Sequence, residues 1–197
     1  MTDGFIRLSE LDTCDSRTVG GKAANLYELM SAGFPVPEGL VVPVPQYDLF
    51  MKVHGLGDII AAILQETDWS RNESLSLASK RIKELVISAP ADRHLADGIS
   101  VELRLAGPDA LWAVRSSAVA EDRADASFAG QQDSYLNVRT EDVPEMVRRC
   151  WASYWNERAM AYRNDSGVAH LEHGIAVVVQ RMVDARSSGI LFTVDPV

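Results

Sequence analysis

The stretch ALWAVRSSAVAEDRADASFAGQQDSYLNV, residues 110–138, changes the character of the chain. Leu111, Trp112, Ala113 and Val114 form an apolar run that reads as a strand and stops at Arg115. Small and acidic residues follow, with Phe128 a lone aromatic, and ASFAGQQDSYLNV reads as a loop running into a second strand. A guanidinium at the end of a strand is a planar fork for phosphate oxygens, and Ser116 and Ser117 could donate beside it. Glu121 and Asp122 could instead hold Arg115 in a structural ion pair. Small residues around one aromatic suit a loop that approaches a ligand closely, with Gly130 letting the backbone do so. Ligand loop and structural turn are both open on these residues alone.

On the C-terminal side, Asp142 and Glu145 read as the cap of a long helix running to about Arg163. Val143, Met146, Val147, Cys150 and Tyr154 line one face of it. GIAVVVQRMV and SSGILFTVDPV then read as two apolar strands joined by a turn around Asp184–Arg186. Their near-continuous apolar character suggests central strands covered on both faces. On the N-terminal side, residues 45–105 read as largely helical scaffold. Ser70 and Glu73 look like a capping box, with Leu77, Ala78, Ile82, Leu85 and Val86 as the apolar face behind it. ADRHLADGISVELRLAG is a weaker helix, interrupted at Gly98. Earlier still, TVGGKAANLYELMSAGFPVPEG gives a short helix from Lys22, with Gly20 and Gly21 at its entrance. Gly33 stands just past its end and Pro35 blocks continuation. The implied architecture is α/β or α+β, with helices packed on a mixed sheet.

The bulk properties limit the function. At 197 residues, with 47% apolar and 24% charged residues, the chain is one domain or one large lobe with a real core. A net charge of −9 argues against holding nucleic acid or an anionic membrane by bulk electrostatics. The two cysteines, Cys14 and Cys150, lack metal-ligand spacing and fit a reducing compartment. The N-terminus has no signal-peptide pattern, and no apolar run reaches the roughly 20 residues that span a bilayer. A cytoplasmic location is expected.

Three pieces carry chemistry. In GGK, two glycines before a helix let backbone N–H groups face an anion, and Lys22 adds a mobile charge. The spacing is not that of a Walker A loop, and a flexible turn with a solvated lysine is the plain alternative. Arg115 is the second cation. In VVVQRMV, Gln180 and Met182 could border a flat base, or Met182 could simply fill core. His54, His94, His170 and His173 show no convincing ligand spacing. Trp151, Tyr154, Trp155 and Tyr162 read as packing on the long helix.

In order along the chain, four segments resemble the N-terminal nucleotide-binding domain of the phosphoenolpyruvate synthase / pyruvate phosphate dikinase family. They are VGGKAANLYELMSAGFPVPEGLVV, AVRSSAVAEDRADASFAGQQDSYLNV, CWASYWNERAMAYR and VVVQRMVDARSSGILFTVDP. Rifamycin-inactivating phosphotransferases use the same module. The resemblance implies an ATP-grasp-like fold in which residues 1–197 supply the first lobe. It implies that Lys22 and Arg115 hold the ATP phosphates and act in transfer, and that Gly130 and Gln131 cover them as a lid. Gln180 and Met182 would border the adenine.

The sequence departs from the family pattern at Ala23, Val119, Arg123 and the valine of FTVDP, while both proposed phosphate cations are kept. The family's second lobe with its magnesium ligands, its phosphohistidine domain and its acceptor domain would lie outside these residues. No histidine here sits in a motif assignable as the phosphohistidine. The expected function is therefore the ATP-binding portion of a dikinase that converts ATP, pyruvate and water to AMP, phosphoenolpyruvate and phosphate. The alternatives are the same portion of an antibiotic phosphotransferase, or a short non-catalytic nucleotide-binding or interaction module. The cofactors implied are ATP and Mg²⁺, and an excised lobe would tend to self-associate through an exposed apolar face.

Overall fold

The structure, a computed structural model, describes residues 4–12, 15–118 and 133–189. The apolar run and the serines after it form one strand: β3, Leu111–Ala118, is buried at Trp112, Val114 and the three residues Ser116–Ala118. To number the elements in chain order, β1 is Ile6–Arg7 and α1 is Ser16–Ser31. β2 is Gly39–Val42, followed by the helices α2 (Val44–Val53), α3 (Leu56–Glu66), α4 (Asn72–Ser88) and α5 (Arg93–Ala106). After β3 come β4 (Ser134–Arg139), α6 (Val143–Ser153), α7 (Glu157–Asp165) and β5 (Ile175–Arg181).

The strands form one sheet in the order β1-β2-β5-β3-β4. β5 lies in the middle, with Ile175 through Val179 buried, as its unbroken apolar run implies. Every pairing among the described strands is antiparallel, which corrects the mixed sheet expected from sequence. An unbroken apolar run reports burial on both faces, and a central antiparallel strand meets that condition as well as a parallel one. The second apolar segment, ILFTVDPV, lies outside the described residues.

The period-two alternation of the strands divides the core into two layers. Leu40, Val42, Trp112, Val114, Val177 and Val179 face the helices α2 to α6, and this is the larger core. Val41, Ala176 and Val178 face the other way, against Val19, Ala23 and Ala24 of α1. The sheet thus carries a thick helical layer on one side and α1 on the other.

Several local readings change. The helix expected to run to Arg163 is two helices. Asp142 holds the N-cap position of α6 without a side-chain capping bond. At its other end the N–H groups of Tyr154, Trp155 and Asn156 bond three residues back, and Asn156 turns extended before α7. The expected capping box does not form. Arg71 is the N-cap residue of α4, and Ser70 bonds Asp68 through both its N–H and its hydroxyl. Leu77 is exposed on α4, and Leu75 takes the buried position. α5 runs through Gly98 without interruption, with Asp92 accepting from the N–H groups of His94 and Leu95. Gly33 behaves as read. It has φ 83° after α1, and the bonds Gly33 N–H to Met30 O and Phe34 N–H to Leu29 O form a Schellman stop.

Candidate nucleotide-phosphate site

α1 and β3 meet where Gly20 lies against Ser117. α1 begins before the double glycine, not after it: Asp15 caps the helix by accepting from the N–H of Arg17. Gly20 then breaks the helical geometry, with φ 76° and ψ 163°, and the helix restarts in a new direction. Those angles suit only glycine. A Cβ there would also overlap the carbonyl oxygen of Ser117. The GG pair is therefore a kink inside α1 rather than its entrance, because the four residues before it already form a capped turn.

The fully buried Ser117 hydroxyl bridges the kink. It donates to the carbonyl of Val19 (3.1 Å) and accepts from the N–H of Ala23 (3.3 Å). Val19 ends the first helical segment and Ala23 opens the second, so one side chain supplies the missing bonds of both. The sequence reading placed Ser117 near the phosphates as a donor and missed this bridging role. The pairing of a serine with a helix kink far away in the chain leaves no local signal.

Lys22 follows the kink and is partly buried. Its ammonium acts on the Cys150 thiol, which burial pushes up, helped by the Asp133 carboxylate, while Lys22 pulls it down. The Cys150 sulfur lies 3.8 Å from the Val114 carbonyl and 3.9 Å from that of Asp133. Those two carbonyls lie at the β3–β4 edge of the sheet. Arg115 is there too, inside β3 rather than at its end because the strand pairs on through Ala118: it pairs with Ser134 on β4 and with Val178 on β5, and is half-buried. By strand alternation it shares the α1 side of the sheet with Ser117, two residues or about 7 Å away. Arg115 makes no ion pair with a described residue. Glu121 and Asp122, its alternative partners, lie outside the described residues.

Asp133 organises the edge, and the sequence reading did not single it out. Its carboxylate accepts from the Tyr135 hydroxyl (2.9 Å) and from Asn156 Nδ2 (3.2 Å). Asn156 in turn accepts from Lys83 Nζ (2.7 Å). The Asp133 carbonyl accepts from the N–H and hydroxyl of Ser116. Burial, then the neighbouring Asp133 carboxylate, pushes the Tyr135 phenol well up.

Gln180 sits opposite Ala113 on β5, on the same side of the sheet as Arg115. Its side-chain amide donates to the Pro37 carbonyl (3.2 Å). Met182 is half-buried just beyond β5, with its N–H on the Leu111 carbonyl (2.8 Å). Ser117, Arg115, Ala113 and Leu111 thus mark one line, with cations toward one end and Gln180 and Met182 toward the other. Arg115 and Leu111 are about 13 Å apart along the strand. Gly130 and Gln131 lie outside the described residues. The donor set, two cations beside a helix restart, suits a polyphosphate. Among the described residues no group of three His, Cys, Asp or Glu converges as a cation site, and no helix is long and apolar enough to cross a membrane.

Comparison with known proteins agrees with the fold. Residues 16–197 match the family model for the pyruvate phosphate dikinase AMP/ATP-binding domain. A probable phosphoenolpyruvate synthase of Methanothermobacter thermautotrophicus is 44% identical, over 95% of this chain and 28% of the relative. A phosphoenolpyruvate synthase of Aeropyrum pernix is 44% identical over 91% of this chain and 23% of its own length. A rifampicin phosphotransferase of a Streptomyces species is 41% identical over 98% of this chain and 22% of its own length. The chain spans about a quarter of the length of these relatives. With the matched residues covering α1 to α7 and β2 to β5, the chain belongs to the pyruvate phosphate dikinase AMP/ATP-binding domain family.

Proposed function

We propose that this chain is the ATP-binding portion of a phosphoenolpyruvate-synthase-like dikinase, with Lys22 and Arg115 holding the phosphates. The observation that carries the assignment is the Gly20 kink bridged by Ser117, which sets a lysine on a helix restart beside the strand that carries Arg115. Two cations against a triphosphate position it and offset the charge that develops during transfer. Gln180 and Met182 border the base, and Gly130 and Gln131 cover the phosphates. Magnesium would accompany ATP and offset part of the charge on its phosphates. In the complete enzyme, phosphoryl transfer passes through a histidine outside this chain to pyruvate. A cytoplasmic location follows from that substrate chemistry.

Calorimetry of ATP–Mg²⁺ binding to the 197-residue chain, repeated with Lys22→Ala and Arg115→Ala, tests this reading. Saturable binding is expected, weakened at least about tenfold by each substitution, since a charge-assisted phosphate contact contributes on the order of 1.5–3 kcal/mol. Binding that survives both substitutions unchanged would place the phosphates elsewhere. The second reading is an antibiotic phosphotransferase, favoured by the 41% identical rifampicin phosphotransferase. Assaying the complete gene product with pyruvate and with rifampicin separates the two.

A further inference from the structure

A cavity of about 380 Å³ opens in the helical layer, on the opposite side of the sheet from α1. It is framed by α2, α5 and α6. Its walls are apolar: Leu49, Phe50, Leu95, Ile99 and Val147 line it. Two donors in that lining have no partner among the described residues. Trp151 is 4% exposed and its Nε1–H bonds nothing. Arg148 Nε is buried and likewise unpaired. A buried donor left unpaired is costly, so two in one cavity call for an acceptor.

The chemistry of that acceptor follows from the donors. Arg148 gives Nη1 to the Ala89 carbonyl at 2.9 Å, which fixes the guanidinium. The edge carrying Nε–H and Nη2–H has no acceptor among the described residues, and Arg148 makes no ion pair with any of them. That edge is one a carboxylate takes with two parallel hydrogen bonds. Trp151 lies three residues further along α6, on the same helix face. The acidic residue in the lining, Asp92, is exposed and already occupied as the cap of α5. Gln46 and His54 add polar groups to an otherwise apolar lining, and one guanidinium beside the Trp151 indole N–H suits a monoanion with an apolar body.

We propose that this cavity binds a small amphipathic carboxylate, its carboxylate on Arg148 and Trp151 and its tail against Leu95, Ile99 and Val147. The site is separate from the nucleotide face and does not depend on the ATP reading. Its volume falls within the ordinary range for small-molecule pockets.

Octanoate is the probe, with octanol and octylammonium as controls of the same tail, followed by ¹H–¹⁵N NMR of the 197-residue chain. The indole N–H groups of Trp112 and Trp155 already bond Thr140 and Tyr47, both at 3.0 Å, and serve as internal references. Octanoate is expected to shift the Trp151 indole resonance saturably, with Kd on the order of a millimolar or tighter for a ligand of its size. Octanol and octylammonium are expected to bind at least about tenfold more weakly. Arg148→Met, which keeps the apolar stem, should remove the preference for octanoate, and Trp151→Phe should delete the reporting signal. Equal response to octanoate and octanol, or no saturable shift with octanoate up to its solubility limit, would overturn the proposal. Those comparisons use the unsubstituted chain, so they hold even if a variant does not fold.

Discussion

Gly20 holds two constraints in one residue. Its φ of 76° suits no side chain, and its Cα hydrogen faces the Ser117 carbonyl where a Cβ would have to sit. Gly20→Ala is therefore expected to destabilise the chain by about 3 kcal/mol or more, from backbone strain plus steric overlap. In a chain of this size that lowers Tm by roughly 10 °C, which a thermal melt reads directly. Ser117→Ala leaves a buried carbonyl and a buried N–H unpaired and should cost about 1–3 kcal/mol by urea titration. Both variants should also weaken ATP binding, because the kink they disturb carries Lys22. The GGK triplet could be picked out as a candidate anion-facing element from its residue types. Its service as a packing contact was not, since Ser117 stands almost a hundred residues away.

The α6–α7 break shows why element boundaries are hard to read. The apolar positions Val143, Val147, Cys150 and Tyr154 are all buried, as their spacing implies, and nothing in that spacing announces a stop. The stop comes from outside the helix. Asn156 gives its side chain to Asp133 and Lys83, and the free Tyr154 carbonyl is taken by Arg163 Nη2 at 2.7 Å. Arg163 is itself buried, its guanidinium carbon 3.9 Å from the centre of the Tyr154 ring. No carboxylate pairs with it among the described residues. Burial accordingly favours its uncharged form more than in water. Arg163→Met keeps the packing stem but strands the Tyr154 carbonyl. A loss of about 1–3 kcal/mol is expected, read as a lower urea midpoint with an unchanged m-value.

At the scale of the molecule, stability depends on pH through the loop that closes over α7. His170 stacks on Trp69 with centroids 4.9 Å apart and accepts from Arg163 Nε at 3.2 Å. Its pKa is pushed down to about 4, first by burial and then by the Arg163 charge. The unfolded imidazole titrates near 6.5, so between those values the unfolded chain binds more protons than the folded one. Stability from this group is full above about pH 6.5 and is lost as pH falls toward 4. Urea midpoints compared between about pH 7 and pH 4.5 should fall more for the parent chain than for His170→Gln. Equal loss in both would remove His170 from the account.

The sequence by itself determined the element types, the buried run of β5, the Schellman stop at Gly33 and the family, because each rests on local spacing or short motifs. It also carried Lys22, Arg115, Gln180 and Met182 as site candidates. Only the tertiary structure decided the strand order β1-β2-β5-β3-β4, the antiparallel pairing throughout the described strands, and the Ser117 bridge across the kink. It alone brought Asp133 to Asn156 and left Arg148 Nε and Trp151 Nε1 in one cavity without a partner among the described residues. The physical reason is common to all of these. Each depends on elements far apart in the chain coming together, and what a side chain meets there is set by packing, not by the residues beside it.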